Sequence, residues 1–175
     1  IDETASVVHG VLEHYNNTKS EKFLKENLQM CEKAVDFLKK YIKDWLGIEE
    51  ITDKKDKVQE EMEKELKEKH PEHRYHVSYD LWEMNEGIHL YSIASIYSAF
   101  GSLIKMYKIL GKNISEFENN RLKQEKVSKE QRVLENLQEQ LKKYIDENLY
   151  DLEKKSYVRN MDDKKMDISI VGAVV

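Results

Sequence analysis

One proline and six glycines in 175 residues leave few places where a helix would be forced to stop. That scarcity speaks for long helices and against a sheet-rich fold. Cysteine is scarcer still. With Cys31 alone no intramolecular disulfide can form, which favours a reducing, cytoplasmic compartment. The chain begins at Ile1 without a positively charged, apolar leader, as expected of a piece processed or excised from a larger protein.

Cationic excess is also missing. The 34 Asp and Glu outnumber the 29 Lys and Arg, for a net charge of −5. Such a surface has no long-range attraction for phosphate backbones, so nucleic acid is not an expected partner. Lys and Arg alternate with Glu along the chain, the pattern of a solvated face. Catalytic signatures are absent as well. There is no Gly-x-Ser-x-Gly, no glycine-rich phosphate loop, and no Arg followed by His at the spacing of helical ribonucleases. The expectation is a non-enzymatic chain with no cofactor.

What the sequence does contain is a nearly continuous apolar stretch from Ser78 to Gly111. Leu81, Trp82, Met84, Ile88, Leu90, Ile93, Ile96, Phe100, Leu103, Met106 and Leu110 are among its members. A helix that is apolar nearly all round has to be enclosed by other helices or by lipid. Ser92, Ser95, Ser98 and Ser102 recur every three or four residues and form a stripe along which a neighbouring helix can come close. From Ile88 to Leu110 the stretch is long enough to cross a membrane. His89, Lys105, Lys108 and the four serines weigh against that, and a core helix with a wet edge is the better reading.

The flanking segments are amphipathic, as an enclosing shell would be. Ala5, Val8, Leu12 and Tyr15 mark a short helix over 2–15, which Asn16-Asn17 is expected to break. Thr18-Lys19-Ser20-Glu21 has capping-box spacing with Thr18 as the cap. Behind it Leu24, Leu28, Cys31, Val35, Leu38, Ile42 and Trp45 run an uninterrupted 4-3-4-3-4-3 seam, ended by Gly47. Phe23, Met30, Ala34, Phe37 and Tyr41 widen this face beyond what one neighbour needs. A further helix over 128–155 carries Leu134, Leu137, Leu141, Tyr144, Ile145, Leu149 and Leu152; whether 115–155 is one helix or two is left open by the pattern, with Val127-Ser128 the place where a kink or break would fall.

The predicted fold is therefore all-α, an irregular bundle of five or six helices around a central hydrophobic helix at about 79–110. The bundle would occupy 1–158, with 159–175 a charged loop and an apolar arm or truncated element.

Four histidines fall close together. His70, His73 and His76 have spacing three in a Pro-containing loop, and Glu86-Gly87-Ile88-His89 reads as Glu-x-x-His on a helix. Three imidazoles can hold zinc, and Glu-x-x-His is a ligand spacing of di-iron bundles. A di-iron site, however, needs a second such pair and two further glutamates, and no other histidine here follows a Glu at three residues. A solvated loop and a polar pair at the exposed start of the central helix are the plainer readings, with a small-molecule or metal-binding bundle as the alternative. His9 and His14 read as surface residues.

The helix expected over 52–69 has only Val58, Met62 and Leu66 as apolar residues, a stripe one partner groove could take. The functional expectation is accordingly a protein-interaction or scaffold module, bound to a protein partner or to itself, with membrane insertion the remote alternative. If the stripe is an interface, Met62→Asp with Leu66→Asp abolishes partner binding while helicity and Tm stay nearly unchanged. A large fall in Tm on circular dichroism would make the stripe core instead.

Overall fold

The computed structural model describes residues 1–48, 78, 79, 81, 84–114, 121–166 and 168–170. It is mostly helical, with four helices and one small hairpin among the described residues. The expected helix 52–69, with Val58, Met62 and Leu66, lies outside them, as do His70, His73 and His76.

The first helix, α1 (Asp2–Thr18), buries Ala5, Val8, Val11 and Leu12, and Asp2 and Glu3 favour its positive end. Asn16-Asn17 does not break it. The Asn17 amide donates to the Glu13 carbonyl and the Thr18 hydroxyl to that of His14, so both side chains close the last turn. Lys19 then takes a left-handed conformation, and its N–H reaches the Tyr15 carbonyl at 2.7 Å. The cap of the next helix is Ser20 rather than Thr18, its hydroxyl accepting from the Phe23 N–H. Two residues thus turn the chain back on itself.

That next helix, α2 (Glu21–Leu46), ends at Gly47 as expected and buries Leu24, Cys31, Val35, Leu38, Tyr41 and Ile42. The central helix, α3 (Leu90–Ile114), buries Ile93, Ile96, Ala99, Phe100, Leu103, Met106 and Leu110. Tyr97, Lys105 and Lys108 form its wet edge. The serine stripe meets α1. His9 Nδ1 lies 3.4 Å from Ser102 Oγ and 3.5 Å from Ser98 Oγ, while Ser95 bonds back to the Tyr91 carbonyl.

The last helix, α4 (Arg121–Asn148), runs unbroken through Val127-Ser128. A capping box is a start signal only where the chain enters from outside, and here good helix formers stand on both sides of Ser128. Glu130 is also held from α2 by Lys39. Leu134, Leu137 and Leu141 pack inward, and Gln138 reaches over Gly101 to the Tyr97 carbonyl at 2.8 Å. A Cβ on Gly101 would stand 2.9 Å from the Gln138 amide nitrogen, so glycine leaves room for this side chain to lie across α3.

Two expectations fail at helix ends. The last helix stops at Asn148 instead of 155, and a hairpin follows, β1 (Tyr150–Asp151) with β2 (Ser156–Tyr157). The Asp151 carboxylate accepts the N–H groups of Glu153 and Lys154, both at 3.0 Å, which turns the chain there. Leu152 stands at the tip, 82% exposed, and is not part of the apolar face.

The central helix, for its part, starts at Leu90 rather than about 79. Tyr79 and Glu86 pair as an antiparallel bridge, and the Gly87 N–H donates to the Ser78 carbonyl at 2.9 Å. The Leu90 N–H is taken by the Arg159 carbonyl at 3.0 Å, and His89 pairs with Asn160. The segment 158–166 is therefore a strap across the entry of α3. Gly87 has φ +158°, and a Cβ there would lie 2.2 Å from the Asn160 amide nitrogen.

Gly87→Ala should cost about 1–3 kcal/mol, because Asn160 must move and its carbonyl oxygen already accepts the Asp162 N–H. Gly111→Ala, with open space at the Cβ position, should be neutral or gain up to about 1 kcal/mol. Urea denaturation midpoints of the two variants check the contrast.

Candidate functional site

Around the strap the residues form a polar node at one end of the bundle. Tyr41 on α2 donates to Ser78 Oγ at 3.3 Å, and Ser78 Oγ donates to the Gly87 carbonyl at 3.3 Å. Burial pushes the Tyr41 phenol up, so it is a neutral donor. His89 is 2% exposed, and among the described residues neither of its ring nitrogens has a hydrogen-bond partner. The Trp45 indole N–H is likewise buried without a partner among the described residues. Such a group costs about 1–3 kcal/mol, and close apolar packing around the node has to offset it.

The Glu86–His89 pair therefore differs from its sequence reading in two respects. It lies before the helix, not on it, and His89 is buried rather than at an exposed start, while Glu86 faces water. The two are not brought together as ligands. Among the described residues no group of three His, Cys, Asp or Glu side chains could hold a metal ion. No helix among them is long and apolar enough to cross a membrane. His9 and His14 are exposed, as read, and His14 stacks on Phe23 with ring centroids 4.0 Å apart.

A second polar cluster joins α2, α3 and α4. Tyr107 donates to Glu32 Oε1 at 2.9 Å. Its phenol is pushed far up, first by burial, then by the bond to the Glu32 carboxylate and by the negative charges of Glu32, Glu130 and Asp36. Lys39, nearly buried, bonds Glu130 and lies 3.8 Å from Asp36. The cluster is a clamp between helices, in which Lys39 and the Tyr107 phenol sit among three carboxylates.

At the strap, the Arg159 guanidinium holds the Asp163 carboxyl below the usual range, and the Lys154 and Glu153 N–H groups do so for Asp151. The first pair is internal to the strap and the second to the hairpin turn; Lys164, 4.0 Å from Asp151, and Lys154 Nζ, which donates to the Lys164 carbonyl, join the two. Asn160, buried beneath them, had no signal in the sequence, since an Asn in a charged loop reads as solvated.

The surface offers a different feature. α1 and α2 run antiparallel from the His14–Phe23 contact. Seven residues on from it along each helix stand Val7, 49% exposed, and Met30, 43% exposed. Seven residues is two turns, so both remain on the line of that contact. Phe37, 40% exposed, continues the line on α2, and Gly10 leaves open space on the α1 side. The widened face of α2 was legible in the sequence; Val7 was not, because it is one step outside the buried stripe of α1.

Cys31 is buried, and burial first, then the Glu32 charge, pushes its thiol up to about 11. In the folded chain at pH 8 its thiolate fraction is about a hundredfold below that of a thiol at the ordinary value of 9.0. Iodoacetamide should leave Cys31 unmodified in the native chain and alkylate it rapidly in denaturant, read as added mass. The unfolded thiol ionises near 9 and the folded one does not, so this residue lowers stability as pH rises from about 9 towards 11. Comparison with known protein families, with curated proteins and with solved structures gives no match.

Proposed function

We propose that the chain is a non-enzymatic protein-interaction or scaffold domain, with the outer face of the α1–α2 hairpin as its binding surface. The observation that carries this reading is the line of Val7 and Met30. These apolar side chains stand at the surface although the core beside them is complete with Val8, Leu24, Cys31, Val35 and Leu38. Exposed apolar residues on two adjacent helices offer a surface onto which a helix of a partner or of a second copy can dock. A fifth helix over 52–69, with Val58, Met62 and Leu66, would add a second apolar stripe to the same scaffold. The clamp at Tyr107 and the buried Cys31 fit a chain whose interior serves stability rather than chemistry.

A photo-crosslinking residue in place of Met30 should form a covalent adduct with a protein, either a partner or another copy of the chain, in the cells that express it. Val7→Asp should remove the adduct while changing stability by no more than about 0.5 kcal/mol, since both positions are surface sites. No adduct, or an adduct that survives Val7→Asp, would count against this face.

A further inference from the structure

The strap 158–166 carries two of the chain's six methionines, and each presents its sulfur to a hydroxyl. The Tyr144 phenol on α4 lies 2.9 Å from Met161 Sδ, and Ser156 Oγ on β2 lies 3.3 Å from Met166 Sδ. Both methionines are open to solution, at 38% and 68% exposure, whereas Met106 is buried in the core. Other ties of the strap among the described residues include the Leu90 N–H to the Arg159 carbonyl, the Val158 N–H to the Leu149 carbonyl, the Arg159 N–H to the Lys165 carbonyl, the His89–Asn160 bridge, and the side-chain contacts at Asp163, Lys154 and Lys164.

We propose that Met161 and Met166 are an oxidation site that controls this strap, with a hydroperoxide as the oxidant. The thioether lone pair attacks the terminal peroxide oxygen, a sulfur–oxygen bond forms and the oxygen–oxygen bond breaks. Sulfur is oxidised by two electrons to the sulfoxide, and the peroxide is reduced to water, or to an alcohol from an alkyl hydroperoxide. A thiol-dependent sulfoxide reductase reverses the change.

The geometry gives the step its consequence. A thioether accepts the Tyr144 hydrogen bond weakly and at close range, with no room for another atom between. A sulfoxide oxygen accepts more strongly, but an O–H···O contact itself needs about 2.7 Å, so sulfur and phenol must separate by on the order of 1 Å. Met166 adds a second polar oxygen beside β2. The displaced strap uncovers Leu149, Val158 and His89, all buried when it is seated. Oxidation thereby converts a closed end of the bundle into an apolar surface, and reduction closes it again.

Amide hydrogen exchange followed by NMR tests this at the N–H groups of Leu90, Val158 and Arg159, before and after hydrogen peroxide. Exchange at these amides should quicken at least tenfold once mass spectrometry shows both residues oxidised, and return to its starting rate after sulfoxide reductase. Met161→Leu with Met166→Leu should stay slow in peroxide even though Met30 and Met84 are still oxidised. Unchanged exchange in the oxidised chain would overturn the proposal, as would equal quickening in the double variant. Should the double variant exchange fast before any peroxide, the unaltered chain alone decides: exchange that fails to recover after reduction overturns the proposal.

Discussion

Enclosure of α3 is the constraint on which the rest of the structure depends. Ile93, Ile96, Phe100, Leu103 and Met106 leave water on several sides of one helix at once. Each contributes on the order of 1.5–3 kcal/mol when fully buried, so one flanking helix could not satisfy them. Three helices do. α1 lies on the serine stripe, where small side chains allow close approach, and α4 lies over Gly101, where no side chain stands in the way. The large seam residues of α2 fill the remaining side. The positions of the shell helices thus follow from the size of the side chains on the central one.

Polar groups serve the same enclosure. Tyr107, Glu32, Lys39, Asp36 and Glu130 fasten three helices where their apolar faces run out, and each charge there has an opposite or a donor beside it. Lys108–Glu135, more than half exposed on both sides, adds little to stability. The node of Tyr41, Ser78, Gly87 and Asn160 closes the entry of α3, where His89 is buried without a hydrogen-bond partner among the described residues. This end is held by main-chain bonds and side-chain contacts over the buried Leu90, Leu149 and Val158. On the outer α1–α2 face the core is already complete, and Val7 and Met30 stay at the surface.

Much of this was legible in the chain itself. The uninterrupted seam from Leu24 to Trp45 requires a helix whatever surrounds it, and Gly47 ends it for a local steric reason. The apolar belt of 90–110 requires a central position, and the serines mark its closest neighbour. The widened face of α2, with Met30 and Phe37, could likewise be read as surplus before any neighbour was known.

Tertiary structure decided where elements stop and which polar residues are buried. Leu81 and Met84 continue the apolar pattern of α3 yet are exposed and outside the helix, because Arg159 and Asn160, some seventy positions on, occupy the backbone groups at its start. Ser128 carries a start signal and lies within a helix, because α4 continues on both sides and is held across it by Lys39. Leu152 continues a helical face in sequence and stands at a hairpin tip in space, since Asp151 captures two N–H groups. Periodicity reports which side of an element faces the core, a property of neighbouring residues. Where an element ends depends on which distant group reaches its unpaired N–H and C=O groups first, and only the folded chain brings those groups together.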